Sequence, residues 1–462
     1  MSDATDFDVV VAGAGVAGAL AALRARTLGA RVLLVARKGG ATASWSGAVD
    51  VADPFVDATP APGGGAGGLD ALDRGGAVVD AVEALAARHP RHPYARLGAA
   101  RVAVDDALDF LVRAVPGLDL VRRPDGRNHV LVTAAGTVKR AALAPRSQLL
   151  DVADLPPGAI VGVVGWQDLA GFDAGSVEAM LRFVCSLSAR APRVLSVVVP
   201  RVFSLRAPWD RAAAFAAFLD EADHRAQALA ALREGLRSLT PTPTHLLTPA
   251  VLSRKPLAPP ALLAIDDAVG RPLRELLSLP PSVPGERLVQ ALRDACVAAG
   301  VIVEDGVVTS PVVVAAVAPG GDAGSEAGRR VTAVHVGGRQ VATQAVVLAG
   351  GRFLGGGLVR DQVAREPLLG LPVFVDGVEL GDRFTGDLLG DVVDAPHALL
   401  RAGLLVDDRL RPLDGARRVA FDNVVAAGTI VGGWDPARDG TALGVAAWQG
   451  WLAGRAAVEC GQ

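Results

Sequence analysis

Two kinds of apolar run mark the ends of this 462-residue chain. Residues 9–12 are apolar throughout and are followed by Gly13, Gly15 and Gly18, an alanine-rich stretch, and a second strand-like run at 31–36. A short unbroken apolar run bounded by glycine predicts a strand buried on both faces, and the alanine-rich stretch predicts a helix packed on it. Far downstream, residues 346–349 repeat the pattern and end at Gly350 and Gly351, while 423–427 end at Gly428. That last run leads through Gly432, Gly433 and Gly440 into a final helix of small residues. Unbroken rather than alternating strands belong to parallel sheets covered by helices. The two ends therefore predict one α/β layer structure, split across the chain.

The middle reads differently. Residues 55–80 are rich in Gly, Ala, Pro and Asp and predict a connector. Residues 81–114 have a helical pattern interrupted by the His-Pro turn ARHPRHPYARLG, and 129–150 read as strands and turns. Apolar runs at 159–165 and 194–199, with a helical stretch between them, predict an inserted α/β domain over about 155–265. Residues 285–300 are helical and 301–347 strand-rich, with a loose loop at 318–329. The organisation expected is 1–150 for the N-terminal half of the cofactor domain, 151–335 for the inserted α/β and cap region, and 336–462 for the C-terminal half.

Chemistry enters through the glycines. Gly13 permits a tight turn, Gly15 a close approach of backbone to a pyrophosphate, and Gly18 close packing of helix on strand. A strand–glycine turn–helix unit offers unpaired amides and a positive dipole end to phosphate. This predicts a Rossmann-like FAD/NAD(P)-binding fold. Small residues after the second strand (Gly39, Gly40, Thr42, Ser44, Ser46 and Gly47) would line a path for the phosphates and ring of a flavin. Gly350, Gly351, Gly428 and Gly440 join the cofactor-binding candidates, the last leading into a helix able to stabilise charge on a reduced ring. One position departs from the pattern. The acid that normally binds a ribose hydroxyl at the end of the second strand is replaced by Val35-Ala36-Arg37, with no carboxylate until Asp50. Either the adenosine half is held differently, or it is missing and the cofactor is FMN. Arg37 then pairs with a phosphate or is a solvated surface charge.

Composition narrows the remaining classes. A 51% hydrophobic fraction with 21% charged residues describes a globular core, and a net charge of -3 gives no reason to expect nucleic acid. No apolar run approaches the roughly 20 residues of a membrane span, and the acidic N-terminus enters the first strand without a signal-peptide pattern. Cys185, Cys296 and Cys460 are too scattered for a metal or iron–sulphur motif and read as free thiols. His89 and His92 stand close together, but the prolines beside them favour a structural turn over a metal site. For substrate chemistry, LPPSVPGERL (279–288) is a proline-stiffened loop entering a helix. Arg287 there either holds an anion or sits beside a helix cap made by Ser282 and Glu286. Arg365, after the run Gly355-Gly356-Gly357, either neutralises a phosphate or lies on the surface.

Taken together, these blocks resemble the B subunit of the anaerobic glycerol-3-phosphate dehydrogenase. The resemblance runs nearly end to end and rests on DVVVAGAGVAGALAAL, SGAVDV, HPYARLGAARV, TAAGTVKR, IVGVVGWQDLAGF, LPPSVPGERL, GGRFLGGGLV, REPLLGLPV and NVVAAGTIVGGWDP. It implies a flavin-carrying chain, with FMN favoured and FAD admitted by the motif, and Arg at position 37 as a subfamily trait. It also implies two partners, a larger FAD-containing subunit plus a membrane-attached iron–sulphur subunit. Together they would oxidise sn-glycerol 3-phosphate to dihydroxyacetone phosphate and feed the quinone pool from the cytoplasmic side of the membrane. The chain departs from the family at 438–444, where RDGTALG replaces a glycine- and cysteine-rich stretch, and at Trp166-Gln167-Asp168, where smaller residues are expected. Two other readings stay open: a stand-alone reductase of the fumarate-reductase type, and an electron-relay or assembly subunit that makes no substrate contact.

Overall fold

The computed structural model describes residues 6–37, 40–55, 70–98, 101–188, 191–203, 207–315, 328–392 and 395–461. Gly39, most of the 55–80 connector and most of the 318–329 loop lie outside the described residues. The chain forms two compact units. The first contains Met1–Thr42, Val79–Ala114 and Leu292–Gln462; the second contains Ala43–Val78 and Val115–Ala291.

The first unit joins the two ends of the chain in one sheet. Its strands are β1 (Phe7–Ala12), β2 (Val32–Ala36), β3 (Ile302–Asp305), β4 (Val308–Ala315), β5 (Arg329–Val336), β6 (Arg339–Leu348) and β7 (Val424–Ala426). Five of them run parallel in the order β3-β2-β1-β6-β7. β6 is long enough to serve two partners. Its later residues pair with β1, Ala12 opposite Leu348, whereas its first four run antiparallel to β5, which in turn pairs with β4. Asn423 ties this junction together: its Oδ1 accepts from Val331 N at 2.9 Å, and its Nδ2 donates to Val331 O and Gln344 O.

Helices α1 (Val16–Thr27) and α3 (Ala442–Gly461) cover this sheet, and α2 (Arg101–Ala114) packs on α3. α1 is buried at every position from Val16 to Leu23, which explains why it shows no polar face. α3 packs on α1 through Gly450 and Gly454, where any side chain would overlap the carbonyls of Ala17 and Ala21. The small residues of both helices are thus required by backbone-to-backbone distance.

In the second unit, the predicted strand–helix–strand rhythm forms a four-stranded parallel sheet. Its order is Leu273–Glu275, His245–Thr248, Ile160–Trp166, Arg193–Val199. The helix Ala174–Ser186 follows the central strand and is capped by Asp173, whose carboxylate accepts from Gly175 N and Ser176 N. Trp166 and Asp168, unusual for the family at the sequence level, have structural duties. The indole Nε1 donates to Thr248 Oγ1 at 2.8 Å, and buried Asp168 accepts from Val202 N and Phe203 N.

The three-part division expected from sequence is redrawn. β3, β4 and β5 fall inside the 151–335 segment read as insertion, yet they belong to the sheet of the first unit. Residues 43–78, read as part of the cofactor half, belong to the second unit. β4 is buried only at Val308 and is otherwise exposed or half-buried, and Thr309, Ser310 and Pro311 interrupt its apolar residues, unlike the buried runs of β1 and β6.

The α1–α3 contact generates a stability prediction. Gly450→Val should cost about 3 kcal/mol, because the overlapped neighbour is backbone that cannot rotate away. A urea melt of the variant checks it; an unchanged midpoint would mean that the helices are not in backbone contact.

Candidate functional site

β1, β6 and β7 end side by side, and each is followed by a glycine of positive φ: Gly13 at 115°, Gly351 at 71° and Gly428 at 82°. Hydrogen bonds hold the ends level. Ala349 N donates to Ala12 O at 2.9 Å, Ala427 N to Leu348 O at 3.0 Å and Gly13 N to Val35 O at 2.9 Å. The left-handed conformation turns the chain sharply at each end, which residues with a Cβ resist. A Cβ on Gly18 would overlap the Gly13 carbonyl, and one on Gly15 would lie 3.0 Å from Thr42 Oγ1.

The edge so formed suits a phosphate. Gly15 is the N-cap of α1, no side chain among the described residues caps it, and the first turn carries no acid. The amides and dipole of that turn therefore meet no acid from the turn itself. A second glycine loop folds back on the first: a Cβ on Gly350 would lie 2.9 Å from Gly357 Cα. Arg37 leaves β2 exposed, and its guanidinium rests against Gly356, where a Cβ would overlap Nη1. A cation thus stands where a ribose-binding acid would, beside a floor made of bare backbone. Gly13, Gly15, Gly18, Arg37, Thr42, Gly350, Gly351 and Gly428 are together in one unit, as are the residues around Gly440.

Past β7 the chain lays down a polar and aromatic cluster that the sequence reading did not single out. Gly428 N donates to Gln449 Oε1 at 2.8 Å, so α3 fixes the turn after β7. Gly440 (φ 61°) turns the chain between Asp439 and Thr441, just before α3. Arg352, directly after Gly351, donates from Nη1 to Leu400 O and from Nη2 to Trp434 O at 2.7 Å, with the Trp434 ring 5.6 Å away. Burial pushes this guanidinium down to about 10, against the opposing pull of Asp435 and Asp439. His92 is 1% exposed and caps the short helix Pro93–Arg96, its Nδ1 accepting from Tyr94 N at 3.1 Å. Burial lowers its pKa to about 3, so the ring is neutral. The His-Pro signature announced a turn here; nothing local announced the cap or the ring's tertiary neighbours.

Other predicted site residues lie in the second unit. Ser44, Ser46 and Gly47 belong there, with Ser46 O accepting from Gln148 Nε2 and Ser278 N. Gly47 (φ 110°) sits against the Gln148 carboxamide. Arg287 borders a small pocket with Trp45, Gln148, Leu257 and Pro284, but its guanidinium is already engaged. It donates to both oxygens of Glu275, at 2.5 and 2.9 Å, and from Nε and Nη2 to Ser253 O. Arg287 is 5% and Glu275 1% exposed. Of the two sequence readings of this loop, the cap is present in part. Ser282 Oγ accepts from Gly285 N at 3.0 Å, whereas Glu286 pairs with Arg254 at 2.9 Å instead of closing a capping box. Arg365 is half exposed and makes a two-pronged surface pair with Asp361. Neither arginine presents an unpaired charge to a phosphate.

The sequence model of the family described as FAD binding domain matches residues 8–445. A protein of Yersinia enterocolitica, named as the B subunit of an anaerobic glycerol-3-phosphate dehydrogenase, is 30% identical over 95% of both chains. The chain belongs to that B-subunit family, within the FAD-binding class. A protein of Halobacterium salinarum, named as the probable B subunit of the same kind of dehydrogenase, is 31% identical over 99% of both chains. Among solved structures, the 3-ketosteroid delta1-dehydrogenase of Sterolibacterium denitrificans aligns over 98% of this chain at 13% identity and a TM-score of 0.39, a likeness too slight to add to the assignment. The chain is thus a flavoprotein of the oxidoreductase class. Burial raises the thiols Cys185 and Cys296 to about 11 and about 12, so both stay protonated. Among the described residues no cluster of three or more His, Cys, Asp or Glu could hold a metal, and no helix is long and apolar enough to cross a membrane.

Two outcomes follow from these placements. Arg287→Ala should destabilise the protein by ~3–5 kcal/mol, because Glu275 is left buried and unpaired, while Arg287→Met with Glu275→Leu should cost far less; denaturant melts of both variants decide it. The neutral His92 must gain a proton on unfolding below its ordinary value near 6.5, so the unfolded state binds more protons there. Stability should therefore fall as the pH drops from about 6.5 toward 3. His92→Asn should flatten that acid limb in melts at pH 7 and pH 5, and an unchanged slope would contradict the burial of the ring.

Proposed function

We propose that this chain carries FMN and contributes it to the oxidation of sn-glycerol 3-phosphate to dihydroxyacetone phosphate. In this reading it is the B subunit of a complex on the cytoplasmic face of the membrane, beside a larger FAD-containing partner and a membrane-attached iron–sulphur partner. The observation that carries the reading is the likeness to proteins of that name along nearly the whole chain. The choice of FMN rests on Arg37, which stands in place of the ribose-binding acid and against Gly356.

When bound, the flavin supplies a ring that accepts two electrons. The chain's own residues do the rest. The first-turn amides of α1 and the loop Gly13–Gly18 hold the phosphate, with Arg37 as a second, charged contact. Gly350, Gly351 and Gly428 let backbone approach the cofactor without a side chain between. Gln449 fixes the Gly428 turn and so orients the start of α3.

One observation favours the relay reading for the catalytic role. Arg287 and Arg365, the candidate anchors for a substrate phosphate, are both already paired with carboxylates. A relay protein would bind flavin without making a substrate pocket of its own.

Anaerobic mixing separates the two. A chain that is itself catalytic should lose its flavin absorbance at about 450 nm when purified alone and mixed with glycerol 3-phosphate. A relay should bleach only when the FAD-containing partner is added. Bleaching by neither, together with fumarate-dependent oxidation of reduced viologen, would overturn the glycerol 3-phosphate reading in favour of a stand-alone reductase.

A further inference from the structure

His92 is a hydrogen-bond donor set up in advance. Its Nδ1 faces the Tyr94 amide hydrogen and must accept, so the single proton of the neutral ring lies on Nε2. Among the described residues that Nε2 has no hydrogen-bond partner. The closest carboxylate oxygen, Asp439 Oδ2, is 4.0 Å away, beyond hydrogen-bond reach, and accepts from Asp435 N instead. The ring cannot easily turn elsewhere. Tyr94 and Trp434 lie against it at centroid distances of 4.8 and 5.9 Å, and the preceding carbonyl, Arg91 O, is packed on Gly433.

The neighbourhood repeats the theme. Trp448 Nε1, Gln449 Nε2 and Arg352 Nε are also shut off from solvent without an acceptor. Trp448 packs on Tyr94, which packs on His92, and Trp434 lies between His92 and Arg352. All four orphaned groups are donors. Thr441, wholly buried just before α3, adds a hydroxyl that can donate as well. Buried donors without acceptors are unfavourable unless a ligand or a buried water completes them, and a donor-only set is complementary to a group rich in acceptors.

We propose that His92 Nε2–H, seated among these donors, is a fixed uncharged hydrogen bond to a carbonyl oxygen of a bound molecule. Two sources share that chemistry: the pyrimidine-ring carbonyls of the flavin, and the ketone carbonyl of dihydroxyacetone phosphate. A neutral imidazole suits either, since it polarises a carbonyl without giving up its proton. The flavin source rests on the family assignment, and the ketone source on the proposed substrate.

The test uses the full chain and His92→Asn. Asparagine is a preferred N-cap and keeps an acceptor for Tyr94 N, while removing the Nε2 donor. Melting temperature should therefore hold. If the flavin is the partner, FMN titrated into the apoprotein should bind about tenfold more weakly to the variant, the loss expected for one buried hydrogen bond, and the midpoint potential of the bound flavin should shift negative. If the ketone is the partner, FMN binding and potential stay put, and dihydroxyacetone phosphate binding weakens about tenfold. A variant unchanged in both overturns the proposal, as does one that only melts earlier, which would make His92 a purely structural residue. Nitrogen-15 histidine spectra of the wild type give an independent reading. The His92 Nε2 resonance should be that of a protonated nitrogen and should move on adding FMN or dihydroxyacetone phosphate; movement with neither overturns the assignment. Wild-type protein that takes up no flavin is a failure of the cofactor reading, visible before any variant is made.

Discussion

Backbone contact between α1 and α3 fixes how the two helices sit over the glycine edge. The sheet hydrogen bonds fix how far apart the ends of β1, β6 and β7 lie. Because α1 begins at the turn after β1 and α3 shortly after β7, the helix contact fixes how the two helix starts sit over those ends. Gly450 and Gly454 bring α3 onto the carbonyls of Ala17 and Ala21. The same approach places Gln449 on the Gly428 amide and Gly428 against Ala17. The N-terminal and C-terminal segments of the chain, more than 400 residues apart in sequence, are therefore held at one separation by a row of missing side chains. A phosphate-binding turn needs just such a fixed and bare surface.

Charge is placed differently around this edge than in the second unit. In the second unit, Arg287 and Glu275 satisfy each other and the backbone around them, so the pair fixes packing and has little left for a ligand. Around the glycine edge, groups are left incomplete. Arg37 rests on Gly356 rather than on a carboxylate, Arg352 has only carbonyl acceptors, and His92 keeps an unused donor. Polar groups short of partners are costly when buried, as His92 Nε2 and Arg352 Nε are.

Much of this was legible from sequence because it depends on short-range rules. Residues 9–12 with Gly13, Gly15 and Gly18 specify strand, turn and helix within one window, and 346–351 and 423–428 repeat the logic. The absence of an acid at Arg37 was equally plain. What escaped was set by partners distant in sequence. Arg287 looked available because Glu275 sits on a separate strand, and nothing in the loop around Arg287 indicates that the two meet. β4 and β5 looked like insertion because they join the first unit's sheet through antiparallel pairing to β6, and no apolar run announces which strand a partner will be. His92 looked like turn furniture because a cap is a local property, whereas its unused nitrogen is visible only once Trp434 and Asp439 are in place.

The measurement that bears most directly on the glycine edge is to denature the purified chain and identify what it releases by chromatography and mass. About one equivalent of flavin per chain, as FMN, is the expected result, in keeping with a single glycine edge and a cation in place of the ribose acid. FAD would keep the cradle and remove the role given to Arg37. Protein that releases no flavin, and takes up none when offered FMN or FAD, would contradict the central claim that this edge is a flavin site.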